Sequence, residues 1–167
     1  VDLGGDGAMQ ITASHHPFNR NGLKFFTREG GLEGSDIEEI LEYAQNGESP
    51  AENSCGKIRK VDYMTDYAKG LCKKIKEEVN AEDYDHPLKG FKIVVDAGNG
   101  AGGFYADKVL SVLGADTTGS RYLDPDGMFP NHIPNPEDAT AMASICEAVK
   151  EANADLGVIF DTDVDRG

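Results

Sequence analysis

The chain has 167 residues with 16 Lys or Arg against 30 Asp or Glu, a formal charge of −14, and 39% hydrophobic residues. It contains no run of eighteen apolar residues, which excludes a helical membrane span, and its acidity argues against a protein that tracks a nucleic-acid backbone. Three cysteines, Cys55, Cys72 and Cys146, form no CxxC pair and read as reduced packing residues of a cytoplasmic protein. Residues 8–12 (AMQIT) form a short strand-like run, a polar loop with Asn21-Gly22 follows, and the apolar run Leu23 to Phe26 makes a second strand. Ser35 with Glu38 is a capping-box pattern, and Ile37, Ile40, Leu41 and Ala44 recur at helical spacing before Gly47, which predicts a helix over 36–46. Residues 29–53 hold eight acidic side chains and no Lys or Arg, a composition that fits a solvated helix face and linker. The linker candidate is 47–56, and Met64, Tyr67, Ala68, Leu71, Ile75 and Val79 mark a second amphipathic helix. A domain boundary is expected near residue 60, giving domains 1–60 and 61–167.

The second half alternates. Phe91 to Val95 is an apolar strand apart from Lys92, followed by a glycine cluster at 98–103 and a helix through Tyr105, Val109 and Leu113 to Gly114. Asn135-Pro136-Glu137-Asp138 offers an N-cap, a Pro at the first helical position and acids in the first turn, with Met142, Ile145, Cys146 and Val149 as the buried face. Leu156 to Phe160 is a further apolar strand. This order predicts an α/β fold of mixed sheets layered with helices, with ligands beyond the carboxyl ends of the strands. The start at Val1 without a Met or leader, and the stop just behind a motif of charge and turn, predict a piece of a longer protein.

Three constellations carry chemistry. Asp161, Asp163 and Asp165 alternate behind the last strand, so three carboxylates can converge on one point; all-oxygen hard ligands select Mg²⁺ or Ca²⁺ over zinc. An EF-hand loop wants Gly at its sixth position, where Arg166 stands, and that reading fails. An aspartyl-nucleophile phosphatase using Asp161 stays open. The run from Gly98 to Gly103 satisfies G-x-G-x-x-G between a strand and a helix, so a nucleotide-binding module is an alternative. Of the acids near the place expected about 20 residues on, Asp116 comes too early and Asp124 and Asp126 lie in a Pro/Gly turn, and the glycines better suit a tight turn that packs a helix on its strand. Thr12-Ala13-Ser14-His15-His16-Pro17, with Lys24 behind it, places a hydroxyl beside cationic neighbours able to hold a phosphate. A Ser-His-Asp hydrolase is disfavoured, because adjacent residues in an extended segment point apart and no G-x-S-x-G elbow is present.

The segments T-A-S-H-H-P-F-N-R-N-G-L-K at 12–24 and D-T-D-V-D-R at 161–166 together resemble the α-D-phosphohexomutase family of phosphoglucomutases and phosphomannomutases. Val94 to Gly102 and Phe129 to Pro136 support the resemblance in the expected order, and it covers nearly the whole chain. It implies a fragment holding the end of domain 1 and most of domain 2 of a four-domain enzyme, with little or no turnover by itself. It also implies that Ser14 is carried as phosphoserine and that this group, with Asp161, Asp163 and Asp165, holds one Mg²⁺. His15, Lys24 and Arg166 match the basic residues around that phosphate, with Lys24 in the place proposed for acid/base help. The implied substrate is a hexose phosphate whose 1- and 6-phosphates exchange through a bisphosphorylated sugar. Two departures stand out: His16 occupies the usual place of an Asn, and Thr162 that of a Gly, which predicts strain at a left-handed Thr162.

Overall fold

A computed structural model of the chain describes residues 3–14, 16–17, 19–47 and 56–167. Cys55 and His15 lie outside the described residues. The chain divides into two compact units, one of Val1–Ala13 with Asn21–Val61 and one of Ser14–Arg20 with Asp62–Gly167.

In the first unit, β1 (Gly7–Ile11) and β2 (Leu23–Thr27) pair antiparallel, with Gly7 opposite Thr27 and Ile11 opposite Leu23. The Thr12 N–H donates to the Gly22 carbonyl at 3.0 Å and extends the pairing by one step. Helix α1 (Gly34–Asn46) starts two residues before the expected position. Asp36 reaches back to accept the Glu33 N–H at 2.9 Å, so the cap is built on Glu33 and Asp36 rather than on Ser35 and Glu38. Gly47 closes the helix in the left-handed region at φ 66°, where a residue without Cβ is favoured.

The second unit is layered. Helix α2 (Met64–Val79) forms where expected and buries Ala68 and Cys72 against Val109 and Leu113 with Leu71 and Ile75 alongside, whereas Met64, Tyr67 and Val79 of the expected apolar face are exposed. Strands β3 (Ile93–Asp96) and β4 (Leu156–Ile159) run parallel, with Asp96 opposite Ile159. Isolated parallel bridges of Lys92 with Asp116 and Asp96 with Arg121 add to this sheet. Every residue of β3 is buried because both of its faces are covered. Val94 packs with Ile159 against Ala141, Ile145 and Ala148 of helix α3 (Ala139–Ala152), while Val95 packs with Ala97 and Ala106.

Three local expectations are corrected. The stretch after the glycines is not a regular α-helix: a 3₁₀ turn over Ala101–Gly103 leads into a π-helical segment over Tyr105–Leu110. The widened turns let Ala106 meet β3 while Val109 meets α2, and the Phe104, Tyr105 and Phe160 rings stack alongside at centroid distances of 4.4 and 4.8 Å. Helix α3 begins at Ala139 rather than at Pro136. Asp138 is its N-cap and accepts the Thr140 and Ala141 N–H groups at 2.8 and 3.2 Å, whereas Asn135 closes only a local turn onto Glu137. The buried face is Ala141, Ile145 and Ala148, and Met142 and Cys146 are exposed. The sheet comes too close for larger groups: a Cβ on Gly157 of β4 would lie 2.5 Å from Val149 Cγ2 and 2.8 Å from Ile145 Cγ1.

Candidate metal centre

Strand β4 delivers the chain to Phe160 and then to a tight loop at its carboxyl end. Asp161 is fully buried, and its Oδ1 accepts the N–H groups of Asp165 and Arg166 at 3.1 and 3.2 Å, so one carboxylate closes the loop on itself. The left-handed residue is Val164 at φ 67°, not Thr162. A β-branched side chain in this region is strained, and the turn it makes folds Asp165 back toward Asp161. One carboxylate oxygen from each of Asp161, Asp163 and Asp165 lies within 4.8 Å of the others; among the described residues, no other group of three or more potential ligands is so arranged.

The electrostatics of this cluster suit a cation. Burial pushes the Asp161 carboxyl above its ordinary value; the Arg166 backbone N–H opposes that shift, and Asp165 and Asp163 reinforce it. Asp161 Oδ2 is buried without a hydrogen bond, and Arg166 Nε stands 3.9 Å away from it and 3.9 Å from Asp165 Oδ1. A buried oxygen that receives no donor, inside a converging set of carboxylates, matches the donor set of a hard divalent ion. The residues present therefore fit Mg²⁺.

Ser14 belongs to the same unit. It sits half-buried at φ 51°, and Arg166 Nη2 donates a long hydrogen bond to its Oγ at 3.4 Å. One guanidinium thus touches both the serine hydroxyl and the acidic loop. Of the residues singled out from sequence, the structure brings together Ser14, Arg166, Asp161, Asp163 and Asp165. Lys24 is exposed on β2 opposite Gln10, in the other unit, and His16 is exposed.

The glycine loop is explained by protein contacts. The N–H groups of Gly98, Asn99, Gly100 and Ala101 donate to Asp96 Oδ1, Tyr122 O, Ala97 O and Thr162 O at 2.7–2.9 Å, so none of these four is aimed at a ligand. A Cβ on Gly103 would lie 1.8 Å from the Leu123 carbonyl oxygen. Close chain approach selects these glycines, as a tight turn requires. Sequence reasoning passed over Asp96, a fully buried acid at the end of an apolar strand, and His132, whose Nε2 lies 2.9 Å from Asp96 Oδ1. Their signal was only an acid closing a buried strand.

The family model for phosphoglucomutase/phosphomannomutase alpha/beta/alpha domain II matches residues 66–167, more than half of the chain. The chain belongs to the phosphoglucomutase/phosphomannomutase family. The model for domain I of that family matches residues 1–51. A phosphoglucomutase of Neisseria meningitidis serogroup A is 33% identical over 99% of this chain and 33% of that protein. A phosphomannomutase of Escherichia coli is 33% identical over 98% of this chain and 36% of that protein. A solved phosphoglucomutase/phosphomannomutase family protein of Burkholderia thailandensis is similar with a TM-score of 0.73 at 28% identity, over 95% of this chain and 32% of that one. The chain spans about a third of the length of the curated family relatives it matches. Among the described residues, no helix is long and apolar enough to cross a membrane.

Proposed function

We propose that the chain carries the phosphoryl-holding and cation-holding parts of a cytoplasmic hexose phosphate mutase, an isomerase that exchanges 1- and 6-phosphates on a hexose. The observation that carries the reading is the meeting of Ser14 Oγ, Arg166 and the Asp161, Asp163 and Asp165 carboxylates within one unit. In this reading phosphorylated Ser14 gives its phosphoryl group to a free hydroxyl of a hexose monophosphate. The bond from phosphorus to Ser14 Oγ breaks, a bond to the sugar oxygen forms, and the hydroxyl proton leaves to a base, for which Lys24 is the candidate. The bisphosphorylated sugar turns over and returns its other phosphate to Ser14. A loose phosphoryl transition state needs positioning and charge neutralisation more than covalent machinery. Arg166 supplies a guanidinium beside Ser14, with His15 as a second basic neighbour in the sequence. Mg²⁺, when held by Asp161, Asp163, Asp165 and the Ser14 phosphate, would neutralise the phosphate charge.

The complete burial of Asp161 speaks against its use as a phosphatase nucleophile, and the engaged amides at 98–101 speak against a nucleotide cradle. The test is intact mass after incubation with glucose 1,6-bisphosphate or mannose 1,6-bisphosphate and Mg²⁺. A single added phosphate that disappears in Ser14→Ala is the expected result; label retained in Ser14→Ala and lost in Asp161→Asn would replace the mutase with the phosphatase.

A further inference from the structure

Asp96 ends β3 with a carboxylate that is wholly buried and saturated with partners. Its Oδ1 accepts the Gly98 N–H at 2.9 Å and lies 2.9 Å from His132 Nε2, and its Oδ2 accepts the Ser144 hydroxyl at 2.5 Å. Burying a charged group costs desolvation, and apolar residues of similar volume often replace such pairs without loss of stability. Stability alone is therefore a weak reason for this network. The His132 side chain is 4% exposed, and its Nδ1 stands 2.9 Å from the Ile133 carbonyl oxygen. Each ring nitrogen faces an oxygen, so the ring acts as a two-ended clip between the end of β3 and the 129–136 segment.

The clip bears on the glycine turn. A Cβ on Gly98 would lie 3.0 Å from His132 Cε1 and 2.9 Å from Pro134 Cβ, and Asn131 Nδ2 donates to Asn99 Oδ1 at 2.7 Å. The turn in turn bears on the acidic loop. The Ala101 N–H donates at 2.9 Å to the carbonyl of Thr162, the residue between Asp161 and Asp163, and a Cβ on Gly100 would meet that same oxygen at 2.9 Å.

We propose that His132 is a positioning residue for the acidic loop: clipped to Asp96, it holds the 98–101 turn in the shape whose Ala101 N–H fixes the Thr162 carbonyl, and so sets the spacing of Asp161 and Asp163. The consequence for cation affinity rests on the reading of those acids as a cation site. Mg²⁺ demands near-ideal octahedral geometry, so a small shift of the loop is felt in binding. Groups that orient metal ligands from behind typically change affinity by about 10–100-fold when removed.

The experiment compares His132→Ala, His132→Gln and Val109→Ala in the 167-residue chain. Two readings are taken: Mn²⁺ titration by electron paramagnetic resonance, and amide exchange of Ala101. His132→Ala is expected to weaken Mn²⁺ binding about tenfold and to speed Ala101 exchange by a similar factor. His132→Gln keeps a donor within reach of Asp96 and restores most of both. Val109→Ala, a destabilised core control, leaves Mn²⁺ affinity unchanged. A folded His132→Ala with the exchange and affinity of the unaltered chain overturns the proposal. If it fails to fold, His132→Asn, too short to reach Asp96, is judged by the same two readings. If the unaltered chain binds no Mn²⁺ while Ala101 exchange still responds to His132, the cation reading falls and the positioning role stands. If Asp163→Asn abolishes Mn²⁺ binding while His132→Ala moves neither reading, the reverse holds.

Discussion

Val164 holds a β-branched side chain at φ 67° between two of the three converging acids. A non-glycine residue in that region costs about 1–3 kcal/mol, and here the cost is coupled to the geometry of the three acids. Val164→Gly should raise the melting temperature of the metal-free chain by about 2–4 °C while weakening Mn²⁺ binding, because the relieved loop no longer waits in the bound shape. A melting temperature that falls, with unchanged affinity, would mean the strain is absent. Asp138 caps helix α3 with a charged side chain. Its hydrogen bonds from the Thr140 hydroxyl and from the Ala141 and Thr140 N–H groups hold its carboxyl below the ordinary carboxylate value. A depressed value means that the carboxylate stabilises the fold above the unfolded value, about 4, and that this stabilisation is lost as pH falls through the folded value. Asp138→Ala should therefore melt lower at pH 7, and the gap to the unaltered chain should close in acid below about pH 4. A gap that is constant with pH would mean that the cap does not act through its charge.

At the scale of elements, glycines separate close approach from mere tolerance. Gly70 lies inside α2 with nothing within 4 Å of an added Cβ, so Gly70→Ala should stabilise the chain by about 0.5–1 kcal/mol. Gly103→Ala would drive a methyl group into the Leu123 carbonyl and should destabilise it by about 1–3 kcal/mol or more. Thermal melts of the two variants should move in opposite directions. The same closeness explains how much could be read in advance. The convergence of Asp161, Asp163 and Asp165 was legible because a short motif directly behind an apolar strand carries its own chemistry. The start of α3 was not, because Asn135 and Asp138 stand three residues apart and both are competent caps. Its buried face was displaced to Ala141 and Ala148 because only the folded sheet reveals how little room β4 leaves. Asp96 and His132 are 36 residues apart, and no periodicity announces a tertiary pair.

Across the whole molecule, a formal charge of −14 draws cations toward every surface and repels sugar phosphates, so the way charge is handled at the site matters more than its sum. Arg166 is shared between the Asp161 and Asp165 carboxylates and the Ser14 hydroxyl. A divalent cation entering among the acids would compete for the oxygens that face this guanidinium and would free it for a phosphate at Ser14. Two ligands that each release what the other needs are thermodynamically linked, and the linkage is reciprocal. Inorganic phosphate should bind the chain more tightly in the presence of Mn²⁺, Mn²⁺ should bind more tightly by the same factor in the presence of phosphate, and Arg166→Ala should reduce that factor toward one in calorimetric titrations. An undiminished factor in Arg166→Ala would show the coupling to run through the cation alone. With the linkage in place, cation and phosphate occupy the site together more often than independent binding would allow, and the half-loaded forms dominate only when one of the two is scarce.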